Sequence, residues 1–336
     1  MTEQNLPRVA VIGTGGTISY VGRDNLDLVN YAALDKRHNT AELIAAFPEV
    51  HSVAQIDAIP FQAVPSTAMG VPEWLKLVKI ISELDSGSVN YDGIVVTHGT
   101  ASLEETAYFL NLTLKTSLPV VVVGSQRPSS AFCTDAGMNL LNGIRVAGST
   151  EARGLGVLVL LNDEIQAARE VTKTSTYRMQ TFRTPDFGVL GHADGDGTVA
   201  IYRRPTRCHA PDTEFDVSGL SELPRVDILL SHAGADGVAV DAYIQAGAKG
   251  IIAAGMAPGF GTQAEVAALE RAQEKGILIV QSSRAGSGRV MPGDTLRVGN
   301  AISADNLNPQ KARVLMMLAL SKTADPKEID RMFKTY

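Results

Sequence analysis

The chain has 336 residues, 45% of them hydrophobic and 20% charged, with a formal net charge of −6. That length exceeds what one hydrophobic core usually sustains, so two domains are expected. The acidic balance, the 5% aromatic content and the lack of a basic block argue against a nucleic-acid partner, and no apolar run reaches membrane-spanning length.

The first apolar run, Val9-Ala10-Val11-Ile12, leads into Gly13-Thr14-Gly15-Gly16-Thr17-Ile18. A short apolar run bounded by glycines reads as a buried strand ending in a tight turn. The turn is not a dinucleotide fingerprint, because Ile18 stands where the third glycine belongs, and no lysine follows to make a phosphate loop. What remains is a hydroxyl beside exposed backbone N–H groups, which suits covalent chemistry at a carbonyl. Residues 19–37 are polar and without period, and a loop of that length over a glycine turn is expected to act as a lid. Asn39 then signals a helix that stops before Pro48.

Further on, three continuously apolar runs end in polar or glycine turns. Residues 92–96 lead to Thr97-His98-Gly99-Thr100, residues 118–123 to Gly124-Ser125-Gln126-Arg127-Pro128, and residues 154–161 to Asn162-Asp163-Glu164. Such runs suit strands buried on both faces. Helical stretches at 72–84, 103–114 and 138–147 alternate with them, which predicts a largely parallel sheet with its polar strand ends on one edge. The proline- and arginine-rich stretch 204–224 reads as a linker between an N-terminal domain, 1–203, and a smaller C-terminal one, 225–336. There the alternation resumes, with strands at 226–230, 250–255 and 276–280 and helices at 238–246, 263–275 and 309–320, the last capped by Asn308.

Thr17 and Thr100 each sit on a glycine turn, and a helix cap is the plain alternative for both. Lys173, in Val171-Thr172-Lys173-Thr174, would ordinarily be a solvated lysine; if desolvated beside a threonine hydroxyl it would lose pKa and could act as a base. His98 reads as a structural hydrogen-bonding residue. Cys133 and Cys208 are far apart and lack metal spacing, which fits a reducing compartment. The polar residues 1–8 carry no signal-peptide pattern, so a cytoplasmic location is expected.

Together these stretches resemble the bacterial-type L-asparaginase/glutaminase family over essentially the whole chain. The resemblance rests on Thr14-Gly15-Gly16-Thr17-Ile18 and Thr97-His98-Gly99-Thr100, with Glu104-Glu105-Thr106-Ala107-Tyr108, Arg127-Pro128-Ser129, Val171-Thr172-Lys173-Thr174 and Asn308-Pro309-Gln310-Lys311-Ala312-Arg313 in support. It implies a two-domain α/β fold with a flavodoxin-like N-terminal domain, a homotetramer built as a dimer of dimers, and hydrolysis of a small amide to an acid and ammonia without a cofactor or metal. It also implies roles. Thr17 would be the nucleophile, with Tyr31 assisting and Tyr20 competing for that part. Thr100 and Lys173 would form a second hydroxyl–base pair, and Ser66, Thr67, Ala101 and Ser125 would face the substrate.

The chain departs from the family pattern on the recognition side. Ala101 follows Thr100 where the family usually has Asp, Thr67 and Ala68 follow Ser66, and Phe260 stands where several members place Asn. A buried α-ammonium needs anionic partners. These changes therefore point to an amide lacking the α-amino group, unless Asp294 or Glu164 holds the ammonium instead. A catalytically weak small-molecule binder is the reading from another class, and the intact Thr17, Thr100 and Lys173 argue against it.

Overall fold

The computed structural model describes residues 6–291 and 298–336. The chain divides into two compact units, Met1–Glu214 and Phe215–Tyr336.

In the first unit the strands are β1 (Arg8–Gly13), β2 (Gln55–Ile59), β3 (Gly93–Thr97), β4 (Val120–Val123), β5 (Val157–Leu161), β6 (Glu164–Ala167), β7 (Thr172–Lys173), β8 (Phe182–Arg183), β9 (Gly191–Ala193) and β10 (Val199–Ile201). The helices are α1 (Thr40–Ala46), α2 (Val71–Ser86), α3 (Leu103–Thr113) and α4 (Ala136–Ala147). Eight strands form one sheet in the order β10-β9-β6-β5-β4-β3-β1-β2. The run β2-β1-β3-β4-β5 is parallel throughout, which is the doubly wound order whose switch point lies between β1 and β3. Residues of β1, β3, β4 and β5 are buried on both faces, so their continuous apolar runs are what the position demands. One face is covered by α1 and α4, through Leu43, Ile44, Leu140 and Ile144.

The antiparallel extension β6-β9-β10 departs from the purely alternating pattern. Its cause is local. Asn162 and Asp163 take positive φ of 54° and 65°, which is what a two-residue hairpin turn needs. The chain therefore doubles back after β5 instead of crossing over. β7 and β8 form a separate two-stranded hairpin. The capping box at α1 is present, with Asn39 accepting from Glu42 N and Glu42 from Asn39 N.

The second unit has its own parallel sheet in the order β11 (Val226–Leu230), β12 (Gly250–Gly255), β13 (Leu278–Ser283) and β14 (Ile302–Ser303). Its helices are α5 (Val238–Gln245), α6 (Gln263–Glu274), α7 (Pro309–Lys322) and α8 (Pro326–Thr335). Asn308 caps α7 by accepting from Lys311 N. The helix α8 lies beyond the expected elements. Asp325 caps it, and it buries Ile329, Met332 and Phe333 at helical spacing.

Candidate active site

Two turns meet at the switch point of the first sheet. β1 delivers Thr14-Gly15-Gly16-Thr17, in which Gly15 and Gly16 have φ of 99° and 86°, a region that side chains with a Cβ rarely enter. Gly16 also has no room for one: a Cβ there would lie 2.2 Å from Gly99 Cα. The first turn thus rests on the backbone of the second. Thr14 fastens it further by giving its N–H and hydroxyl to Thr97 O, at 3.0 and 2.9 Å.

Thr17 opens a short 3-10 helix, Thr17–Ser19, whose cap position is Gly16 with no side-chain hydrogen bond. The cap reading of Thr17 therefore does not hold. Its Oγ1 lies 3.0 Å from the Tyr31 hydroxyl. Tyr31 comes from the loop 20–37, closed at its base by a bridge between Tyr20 and Arg37 and carrying its own 3-10 turn, Tyr31–Leu34. Of the two competing tyrosines, Tyr31 is the one that reaches Thr17. Tyr20 is buried, with its ring under the Arg37 guanidinium and 5.6 Å from the Tyr31 ring.

The second turn, His98 to Ser102, links β3 to α3. Thr100 does not cap α3 either, since Ser102 holds the cap position. Its hydroxyl accepts from Lys173 Nζ at 2.7 Å and lies 3.5 Å from Gln126 Oε1. Lys173 stands on the β7–β8 hairpin, and burial lowers its pKa while Glu104 opposes that shift. Glu104, in the first turn of α3, also accepts from Lys173 N at 3.4 Å. Its part beside the lysine is one that the sequence reading assigned only to the helix start.

His98 is fully buried and works below the turn. Trp74 Nε1 lies 2.8 Å from Thr106 Oγ1, Thr106 Oγ1 lies 2.9 Å from His98 Nε2, and His98 Nδ1 lies 2.7 Å from Gly99 O. The ends fix the protons. Indole N–H can only donate and a carbonyl can only accept, so Thr106 donates to Nε2 and the imidazole carries its proton on Nδ1. Burial holds the histidine neutral, with its pKa lowered from 6.5 to about 4.

The expected substrate-facing residues fall into two sets. Ser66 lies against the second turn, since a Cβ on Gly99 would come within 2.7 Å of its Oγ, and Ser66 O accepts from Ser102 Oγ at 2.5 Å. Thr67 and Ala101 are exposed. Ser125 is different. It is fully buried and donates its hydroxyl to Arg127 O at 2.6 Å, so the hydroxyl is engaged within its own turn. Asp135 holds the same turn by accepting from Gln126 N and Arg127 N. A cavity of about 320 Å³ opens behind the first turn, between Gly15, Thr40 and Phe61. It contains none of Thr17, Tyr31, Thr100 and Lys173 in its lining, so the paired side chains rather than this void mark the site.

Of the two carboxylates considered as ammonium partners, Glu164 stands on β6 opposite His192, where burial raises its pKa against the opposing charge of Arg183. Asp294 lies outside the described residues. Phe260 sits in a tight loop of the second unit closed by the Met256–Phe260 bridge. Among the described residues, no group of His, Cys, Asp and Glu is placed to hold a metal ion.

Two family models match the chain, "Asparaginase, N-terminal" over residues 8–207 and "Glutaminase/Asparaginase C-terminal domain" over residues 225–333. L-asparaginase 2 of Bacillus subtilis (strain 168) is 42% identical over 334 residues, covering 99% of this chain and 88% of that protein. The glutaminase-asparaginase of Pseudomonas fluorescens biotype A is 39% identical, covering 100% and 92%. A crystal structure of a probable cytoplasmic L-asparaginase from Campylobacter jejuni superposes with a TM-score of 0.92 at 41% identity, covering 98% of this chain and all of that one. With both halves matched and the two threonine turns in backbone contact, the chain belongs to the asparaginase/glutaminase family.

Proposed function

We propose that the protein hydrolyses a small carboxamide to the corresponding acid and ammonia, with Thr17 as nucleophile. The observation that carries this is the pair of hydroxyl contacts, Thr17 to Tyr31 at 3.0 Å and Thr100 to Lys173 at 2.7 Å, on two turns that touch. Thr17 Oγ1 attacks the amide carbon, and its proton leaves through the Tyr31 hydroxyl. The carbonyl oxygen becomes an oxyanion beside the backbone N–H groups of the glycine turns, an arrangement in which one donor is worth about 10²–10³ in rate. Collapse breaks the C–N bond, and the leaving nitrogen takes the proton that Thr17 gave up. Water then attacks the threonine ester, passing a proton to the Lys173–Thr100 pair, and that proton returns to Thr17 Oγ1 as the acid is released. Ser66, which lies against the second turn, binds the substrate's carboxylate in this reading. Thr67 and Ala101 flank it, and Ser125 acts by holding its turn.

Ala101 favours a substrate without an α-ammonium, because a methyl group supplies no counter-ion for one. Succinamic acid, which is asparagine without its amino group, represents that class. The assay is ammonia release from L-asparagine, L-glutamine and succinamic acid by the wild type and by Thr17→Ala. Turnover lowered by about 10³ or more in the variant is expected for a lost covalent nucleophile; a variant that keeps its rate would overturn the assignment. Succinamic acid turned over faster than either amino acid supports the second reading, and the reverse order removes it. A cytoplasmic, homotetrameric enzyme completes the proposal. Cys133 and Cys208, neither of them in a disulfide, and the likeness to the Campylobacter protein support the compartment, and the family resemblance supports the tetramer. Among the described residues no helix is long and apolar enough to cross a membrane.

A further inference from the structure

The loop that carries Tyr31 is held unevenly. Its first limb is docked on the segment after β4: Tyr20 O accepts from both Ser129 N and Ser129 Oγ, Ser130 Oγ accepts from Gly22 N, and Asn25 O accepts from Phe132 N. Its last limb returns beside the first, with Val21 N donating to Lys36 O. The tip between them is bonded mostly to itself, through Asp24 and Asp27, and leaves Leu26 and Val29 more than 70% exposed. A segment with so little buried apolar surface opens easily.

A side chain from elsewhere reaches that tip. Tyr177 donates its hydroxyl to Leu28 O at 3.3 Å. It stands in the turn of the β7–β8 hairpin, and that turn is cross-bonded. Thr174 N and Oγ1 donate to Thr181 O, Ser175 N donates to Thr181 Oγ1, and Thr181 Oγ1 donates to Ser175 O at 2.6 Å. A cross-bonded turn presents a hydroxyl with little freedom to lose. The same hairpin carries Lys173, four residues earlier, and Leu28 lies three residues before Tyr31.

We propose that Tyr177 is a positioning residue: its hydroxyl latches the lid at Leu28 and so holds Tyr31 against Thr17. The latch makes one hairpin responsible for both halves of the chemistry, since it presents Lys173 to Thr100 and closes Tyr31 over Thr17. This rests on the roles given above to Thr17 and Tyr31, so the test needs a readout that does not depend on them.

Limited trypsin digestion supplies it. Lys36 and Arg37 lie at the end of the lid, and mass spectrometry identifies cleavage there. In Tyr177→Phe, which removes only the hydroxyl, cleavage at those bonds should be about threefold to tenfold faster, the size of one exposed hydrogen bond. The melting temperature should stay unchanged. Ammonia release from whichever of asparagine and succinamic acid is turned over should fall by a similar factor. In a Tyr31→Phe background the further Tyr177→Phe change should cost nothing, because the latch acts through Tyr31. Unchanged lid cleavage overturns the latch. Faster cleavage with an undiminished loss of rate in the Tyr31→Phe background overturns its positioning of Tyr31. If Tyr31→Phe itself is fully active, the role given to Tyr31 falls, and the cleavage rates still decide whether Tyr177 holds the lid.

Discussion

A threonine hydroxyl is a weak nucleophile at neutral pH, and the site surrounds its two threonines with groups that move protons. Lys173 can accept one only when neutral. Burial lowers its pKa below that of a free lysine, so the neutral amine is populated at lower pH than it would be in water, while Glu104 pulls the other way. Activity should therefore rise with pH through the Lys173 pKa. Replacing Glu104 by Gln removes the opposing charge and should move that acidic limb to lower pH, as a pH–rate profile would show. A limb that moves upward, or stays, counts against Lys173 as the proton acceptor. The Ala101→Asp variant addresses selectivity at the same scale: it should raise turnover of L-asparagine relative to succinamic acid by about tenfold or more if a new counter-ion receives the ammonium. Thr17 and Thr100 could be singled out in the sequence because the glycine turns and the apolar runs before them leave local marks, whereas Lys173 reads there as an ordinarily solvated lysine whose role comes from the family resemblance. Tyr31 and Glu104 could not be placed that way, since what matters about them is contact across 14 and 69 residues.

The buried run from Trp74 through Thr106 to His98 joins α2, α3 and the turn bearing Thr100. Its proton order fails if His98 is charged, because Nε2 then donates instead of accepting and the Thr106 hydroxyl proton loses that acceptor. The sign follows from the pKa values. The unfolded chain takes up this proton near pH 6.5 and the folded one only near 4, so the contribution is whole above 6.5 and is lost as the pH falls toward 4. The loss amounts to about 3 kcal/mol for a fully buried imidazole. Chemical denaturation at pH 7 and pH 4.5 should show a drop that His98→Gln largely abolishes, on a lower starting stability; an equal drop in both proteins would place the acid sensitivity elsewhere. At this scale the long apolar strands and the capped helices α1 and α7 could be read directly. The antiparallel strands β6, β9 and β10 could not, because they are short and their direction is set by two residues of positive φ, Asn162 and Asp163.

Across the whole molecule, two units, one built on a largely parallel sheet and the other on a parallel one, repeat the plan of strand, turn and helix. The resemblance in the sequence carried this plan further than composition did, since length alone called only for two cores. Light scattering of the pure protein should give four times the chain mass of 35.6 kDa if the proposed tetramer forms, and a monomeric mass would refute it. The molecule also contains a single tryptophan, Trp74. It is buried, stacked on Phe109 at 5.0 Å, and hydrogen-bonded into the run that ends under the Thr100 turn. The ultraviolet emission of the entire chain beyond its tyrosines is thus the emission of one indole wired to one place. Any ligand that shifts the Gly99–Thr100 backbone, or any acid that protonates His98, should alter that light without a label, and stopped-flow fluorescence would time the event.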